Sequence, residues 1–193
     1  GTQMIAKGLD FPNITLVGVL SADTSLHLPD YRSAERTFQL LTQVSGRAGR
    51  HEKQGEVIVQ TYTPEHYAIE LSKDQLYEPF YEQEMHNRRL AGYPPYFYLA
   101  LVQVTHEDVM MAAEYSGKVA TYLREHLSFN VSIIGPTTAS ITRLQNRYRY
   151  QCLIKYRIEP NLIPVLLDLI KIYRSEWMKK GITLSIDLDP TMM

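Results

Sequence analysis

The densest chemistry in the sequence lies in Gln43-Val44-Ser45-Gly46-Arg47-Ala48-Gly49-Arg50. Arg47 and Arg50 stand three residues apart, which sets two guanidinium groups on one face of a helical turn. The glycines mark where a helix can stop and where a backbone can approach a ligand closely. A guanidinium is a planar fork matched to phosphate oxygens, so two aimed the same way suit a polyphosphate clamp. The same residues also suit a plain helix C-terminus, with cations against its dipole and glycine as the cap.

Two further stretches carry polar chemistry. In Gly1–Pro12, Thr2 and Gln3 can hydrogen-bond phosphate or sugar, Lys7-Gly8 offers a cation beside an unencumbered amide, and Asp10 can accept from a ribose hydroxyl. The stretch equally suits a glycine-punctuated loop ahead of a strand. Between Ile141 and Ile158 the chain holds Arg143, Arg147, Arg149, Lys155 and Arg157 and no acidic residue. On a strand, Arg147, Arg149, Gln151, Leu153, Lys155 and Arg157 share one face. Tyr148, Tyr150, Cys152, Ile154, Tyr156 and Ile158 share the other, which predicts Cys152 as a small buried hydrophobe. The basic face reads either as a phosphate-tracking surface, extended by a loop from Pro136 to Asn146, or as a solvated face balanced by Asp187 and Asp189. The histidines have no metal-ligand spacing, and Tyr173 and Trp177 sit at core spacing on a helix.

These residues need scaffolds. The chain has 193 residues, 45% hydrophobic and 21% charged, with a net charge of −1. That balance excludes a disordered chain and requires any basic surface to be local. One cysteine excludes an internal disulfide and any cysteine-built metal site, and fits a reducing compartment. No run is long enough to span a membrane, and no signal peptide is evident. Ile14–Leu20 reads as a strand buried on both faces, and Ser33–Val44 as an amphipathic helix leading into the arginines. Glu56–Tyr62 reads as a second strand, and Thr63 as the cap of a helix with Pro64 at its first position, running from Glu65 to about Ser72. Two parallel strands are not a stable unit, so further strands are expected before Gly1, in a longer protein. Residues 75–95 predict a helical connector ending at Gly92 and Tyr93-Pro94-Pro95. Beyond it lie a strand at Tyr96–Thr105, a helix capped by Asp108, a short strand at Asn130–Gly135, a long one at Arg147–Ile158, a helix capped by Asn161, and a strand at Ile182–Leu188. That order, βαββαβ, predicts a ferredoxin-like α+β unit.

The segments GTQMIAKGLDFP and QVSGRAGR together resemble motifs V and VI of superfamily 2 helicases, which close the second RecA-like lobe. Ser21-Ala22-Asp23, Leu28 to Arg36 and Phe38 to Gln43 narrow the resemblance to the primosomal protein N-prime family of replication-restart DNA helicases. Arg88-Arg89, Tyr93-Pro94-Pro95, Gly135-Pro136, Arg147 to Gln151 and Asp187 to Pro190 are similar to that family's C-terminal domain. The resemblance implies a partial RecA-like α/β lobe over 1–74, a connector over 75–95 and a DNA- or partner-binding domain over 96–193. It also implies an ATP-dependent 3′-to-5′ DNA helicase that restarts stalled forks and assembles the primosome in the bacterial cytoplasm. Gln43, Arg47 and Arg50 would face the γ-phosphate as catalytic residues, with Gly8 and Asp10 at the nucleotide. Thr2, Gln3, Lys7, Arg143, Arg147, Arg149 and Lys155 would contact DNA. The implied partners are forked and single-stranded DNA, single-stranded-DNA-binding protein and primosome proteins. ATP and magnesium would be held mainly by a first lobe, because neither a Walker A nor a Walker B motif occurs here. The family's zinc would lie outside the chain as well. This piece is therefore expected to be inactive alone as an ATPase. The competing reading is a non-catalytic module that binds nucleic acid or protein.

Overall fold

The structure, a computed structural model, describes residues 15–46 and 55–191. The chain divides into two units, residues 1–87 and 88–193, and the division falls inside the expected connector helix.

The first unit contains β1 (Leu16–Val19), a one-turn helix α1 (Asp23–Leu26), α2 (Ser33–Ser45), β2 (Glu56–Val59), α3 (Tyr67–Lys73) and the start of α4 (Tyr77–Ala91). β1 and β2 pair in parallel, with Val17 opposite Val57 and Val19 opposite Val59. Alternation puts Val19 and Val59 against Ala22 just before α1, Leu41 of α2 and Ile69 of α3. Phe38 and Phe80 stack at 4.1 Å, and Ala68 packs with them. The expected two-sided burial of β1 is not found. Leu16 and Ile58 remain 58% and 55% exposed, because the helices pack against only one set of alternate side chains.

Two details at α3 also differ from expectation. The helix starts at Tyr67, capped by the ring of His66, whose Nδ1 accepts from the Ala68 amide at 3.2 Å. Thr63 does not cap it, because its hydroxyl instead donates to Asp23 at 2.8 Å. Asp23 also accepts from the Thr61 hydroxyl and the Tyr62 amide, at 2.8 and 3.0 Å. Burial alone would raise this carboxyl, but the Thr63 hydroxyl, the Tyr62 amide and the Thr61 hydroxyl hold it at about 2.

The second unit contains β3 (Tyr98–His106), α5 (Val109–His126), β4 (Ser132–Leu144), β5 (Arg147–Tyr156), α6 (Leu162–Ile172) and β6 (Thr183–Leu188). Its sheet is antiparallel, in the order β4-β5-β3-β6. Ala100, Val102 and Val104 of β3, with Cys152 and Ile154 of β5, pack under Val119, Leu123, Leu166 and Leu169 of the two helices. Each buried valine, leucine or isoleucine among them contributes about 1.5–3 kcal/mol. Asp108 caps α5 as expected, accepting from the Met110 amide at 2.7 Å. Asn161 makes no side-chain cap on α6. The Glu159 carboxylate instead ties the segment before α6 to the end of α5, accepting from the amides of Asn161 and Ser128, both at 3.1 Å.

The expected loop from Pro136 to Asn146 is mostly strand. β4 runs on to Leu144, with register shifts between Ile134 and Thr137 and between Thr138 and Arg143. Gln145 and Asn146, at φ 50° and 62°, form the two-residue turn into β5. Pro136 hid this in the sequence, since a proline demotes a strand unless it sits at an irregularity, and here it does. Gly135 is required at that irregularity. It has a φ of +111°, and a Cβ there would lie 2.6 Å from the Gln151 carbonyl oxygen.

Candidate nucleic-acid interface

Of the residues expected at a nucleotide, Gln43 alone lies among the described residues. It is exposed near the end of α2. Arg47, Arg50, Gly8 and Asp10 lie outside the described residues, as do Thr2, Gln3 and Lys7 of the expected DNA contacts. Gly46 ends α2 with a φ of −71°, so the left-handed cap that would explain a glycine is not formed. Its nearest would-be Cβ neighbours are the Gln43 and Thr42 carbonyl oxygens at 3.7 and 3.8 Å, an ordinary contact. Among the described residues, neither dihedral nor crowding calls for glycine there.

β5 carries the basic stripe with the expected alternation, and its other face holds Cys152 and Ile154 in the core. Burial pushes the Cys152 thiol up to about 11, so it behaves as an inert small hydrophobe. Trp177 is also core. A π-turn over Tyr173–Trp177 continues α6 and brings the indole edge-on to Tyr115, with ring centroids 5.2 Å apart.

The cations of the stripe differ sharply in what they touch. Arg147 is a clip across three strands. Its guanidinium donates to the Thr105 carbonyl and hydroxyl, the Gly181 carbonyl and the Thr183 hydroxyl, at 2.6 to 3.2 Å. Its carboxylate partner is Glu107, at 3.8 Å. The alternative reading, balance by Asp187 and Asp189, is not found among the described residues, because β3 lies between β5 and β6 and Asp187 pairs opposite Leu101. Arg149 donates to the Gln103 side-chain oxygen at 3.3 Å and to the Ile141 carbonyl at 3.4 Å. Two of its five N–H groups are used in this way. Arg143 stacks over the Tyr148 ring at 5.0 Å, so it stands with the tyrosines rather than with Arg149.

Lys155 has to be withdrawn from the exposed stripe. It is 7% exposed. Its ammonium donates to the Ala91 carbonyl at 2.8 Å and lies 3.5 Å from the Tyr93 ring centroid. Ala91 is the last residue of α4, where Gly92 at φ +67° and a bond from the Tyr93 amide to the Arg88 carbonyl close the helix. Lys155 satisfies one of the carbonyls that closure leaves, a favourable place for a cation. Burial pushes its ammonium below the ordinary lysine value. Arg157 likewise lies over Phe97, at 4.6 Å.

Register adds three residues that the sequence did not single out beside Gln151. Thr137, Gln151, Gln103 and Ser185 stand opposite one another across the four strands. Polar residues on β3 at Gln103 and Thr105, after Leu99 and Leu101, were the available signal. Among the described residues, no group of three or more histidines, cysteines or acids gathers as a metal site, and no helix is long and apolar enough to cross a membrane.

Fold and site together define a two-unit mixed α/β chain, with a parallel strand pair in one unit and a cation-bearing antiparallel sheet in the other. Residues 89–191 match the family model described as the primosomal protein N C-terminal domain, and the chain belongs to that family. It is 58% identical over 193 residues to the replication restart protein PriA of Bacillus subtilis, covering 100% of this chain and 24% of the relative. It is 46% identical over 190 residues to that of Synechocystis, covering 98% and 22%. With the Haemophilus influenzae protein of the same name it shares 34% over 194 residues, covering 98% and 26%. The chain thus spans about a quarter of the length of the curated relatives it matches.

Proposed function

We propose that this chain is the C-terminal part of an ATP-dependent 3′-to-5′ DNA helicase that restarts stalled replication forks and assembles the primosome. The observation that carries the reading is similarity to replication restart proteins along the whole chain, the arginine stretch included. In this reading residues 1–74 are the end of a RecA-like second lobe, residues 75–95 the connector and residues 96–193 a ferredoxin-like domain. The parallel β1–β2 pair supports the first assignment, and the strand order β4-β5-β3-β6 supports the last.

Arg47 and Arg50 act on the γ-phosphate of ATP, where a fixed guanidinium stabilises charge that builds on the phosphoryl oxygens. Gln43, solvent-facing on the last turns of α2, orients toward the same phosphate. Gly8 and Asp10 hold the nucleotide, and Thr2, Gln3 and Lys7 track the DNA backbone. The first lobe supplies the magnesium and triphosphate grip, and zinc belongs to that longer protein as well. In the second unit Arg149 carries the phosphate contact on the amide face, Arg143 carries a separate one on the tyrosine side of the β4–β5 hairpin, Arg147 holds the strands together, and Lys155 anchors the end of α4. Forked and single-stranded DNA, single-stranded-DNA-binding protein and primosome proteins are the partners, in a bacterial cytoplasm.

The test is the double substitution Arg47→Ala, Arg50→Ala in the longer protein. DNA-stimulated ATP turnover falls by about 10³–10⁵ while DNA affinity holds. Turnover near wild type returns the stretch to a helix terminus. The 193-residue chain alone shows no DNA-stimulated turnover, and measurable hydrolysis by it refutes the division of the site between lobes.

A further inference from the structure

We infer that the sheet face bearing Arg149 binds duplex nucleic acid in preference to single strands, with Gln151 and Gln103 as its specificity-determining contacts. This rests on the nucleic-acid reading above and gives it a substrate class. The row Thr137–Gln151–Gln103–Ser185 crosses all four strands, three inter-strand steps of about 4.8 Å, or roughly 14 Å in all. That reach compares with the major groove of B-form DNA, about 12 Å wide.

The row is polar and short of partners. Gln103 gives its side-chain oxygen to the Arg149 Nε, which leaves its NH₂ group pointing away from that bond. The Gln151 amide has no hydrogen-bond partner among the described residues, although the residue is half-buried. Amides held side by side on a rigid sheet, with a guanidinium one row away, can donate to and accept from base edges or sugars while the cation takes a phosphate.

Single strands ask for something else, open aromatic faces on which bases stack. Among the described residues, this face has aromatic rings at its far end, and cations already cover them, Lys155 on Tyr93 at 3.5 Å and Arg157 on Phe97 at 4.6 Å. Asp187 lies one row beyond the amides, opposite Leu101. Its charge repels phosphate there and directs the backbone to the Arg147–Arg149 side.

The test uses the 193-residue chain and fluorescence anisotropy, with a short labelled duplex and an oligothymidine of equal length over a salt series. The duplex binds about tenfold or more tightly than the oligothymidine. Gln151→Ala lowers duplex affinity about 5- to 10-fold with the salt slope unchanged. Arg149→Ala reduces that slope by roughly one. Gln151→Thr, which suits a strand, gives the same loss and separates lost contact from lost folding. Oligothymidine binding as tight as duplex, or a silent Gln151 beside an Arg149 variant with a lowered slope, overturns this inference and leaves the nucleic-acid reading standing. Binding of neither probe overturns both.

Discussion

The two units use the same alternation of apolar residues and end in different states. In the second, β3 and β5 are central strands, and their inward positions Val102, Cys152 and Ile154 are at most 1% exposed under two helices. In the first, a parallel pair buries one set of side chains and leaves Leu16 and Ile58 more than half exposed. Parallel sheets are stable with both faces covered. The second unit is therefore closed as a domain, whereas the described part of the first has an apolar face still to be covered. The chemistry divides in the same way. The sheet of the second unit assembles its own polar row, while the role proposed for the arginines that follow α2 calls for a phosphate held by the longer protein.

The largest effect that can break this contrast is catalytic, the fall of about 10³–10⁵ in turnover for the arginine pair in the longer protein, set against an inactive isolated chain. Next in size is a core comparison. Ile154→Ala in the closed unit costs about 2–5 kcal/mol by urea unfolding, through lost burial and a cavity. Ile58→Ala costs less than about 1 kcal/mol in the 193-residue chain, and more in the longer protein if its face is covered there. Equal costs in both settings mean that the first unit is as closed as the second.

Gly135→Ala follows, at about 1–3 kcal/mol from its positive φ and the collision with Gln151, and it lowers the stability of the second unit alone. A variant as stable as wild type shows that β4 can shed its irregularity.

The smallest effects are on pH. Asp23 and Glu159 both titrate below their ordinary values, Asp23 at about 2. The Ser128 hydroxyl does most to hold Glu159 down, with the Asn161 amide contributing. A depressed carboxyl contributes stability above its unfolded value and loses it as pH falls through the folded one. The first unit should thus weaken from about pH 4 toward 2 through Asp23, and the second below about 4.5 through Glu159. Asp23→Asn and Glu159→Gln each flatten one of these acid limbs in circular dichroism titrations. A variant that leaves both limbs unchanged removes its carboxyl from the account.

Much of this was legible in the sequence. Apolar spacing located α2, α4, α5 and α6, and period-two alternation placed Cys152 inward and the arginines outward. Asp108 and Gly92 marked a helix start and a helix stop. The misses share a cause. Thr63 and Asn161 are good caps by type, yet Thr63 is taken by Asp23, 40 residues away, and Asn161 gives its own amide to Glu159 while its side chain makes no cap. Pro136 looked like a break because only the register of β5 reveals the irregularity that tolerates it.

The sequence by itself therefore determined the order of the longer elements, the alternation of β5 and membership of the family, because those follow from local spacing and residue type. Tertiary structure alone decided which cations are available. Lys155 and Arg149 share a face and a charge, but one donates to a carbonyl 64 residues away under a tyrosine ring, while the other keeps most of its N–H groups beside a row of amides. Periodicity sets the direction of a side chain. What meets it there depends on segments distant in the chain, and a buried cation with a carbonyl partner is no longer a charge that a phosphate can reach.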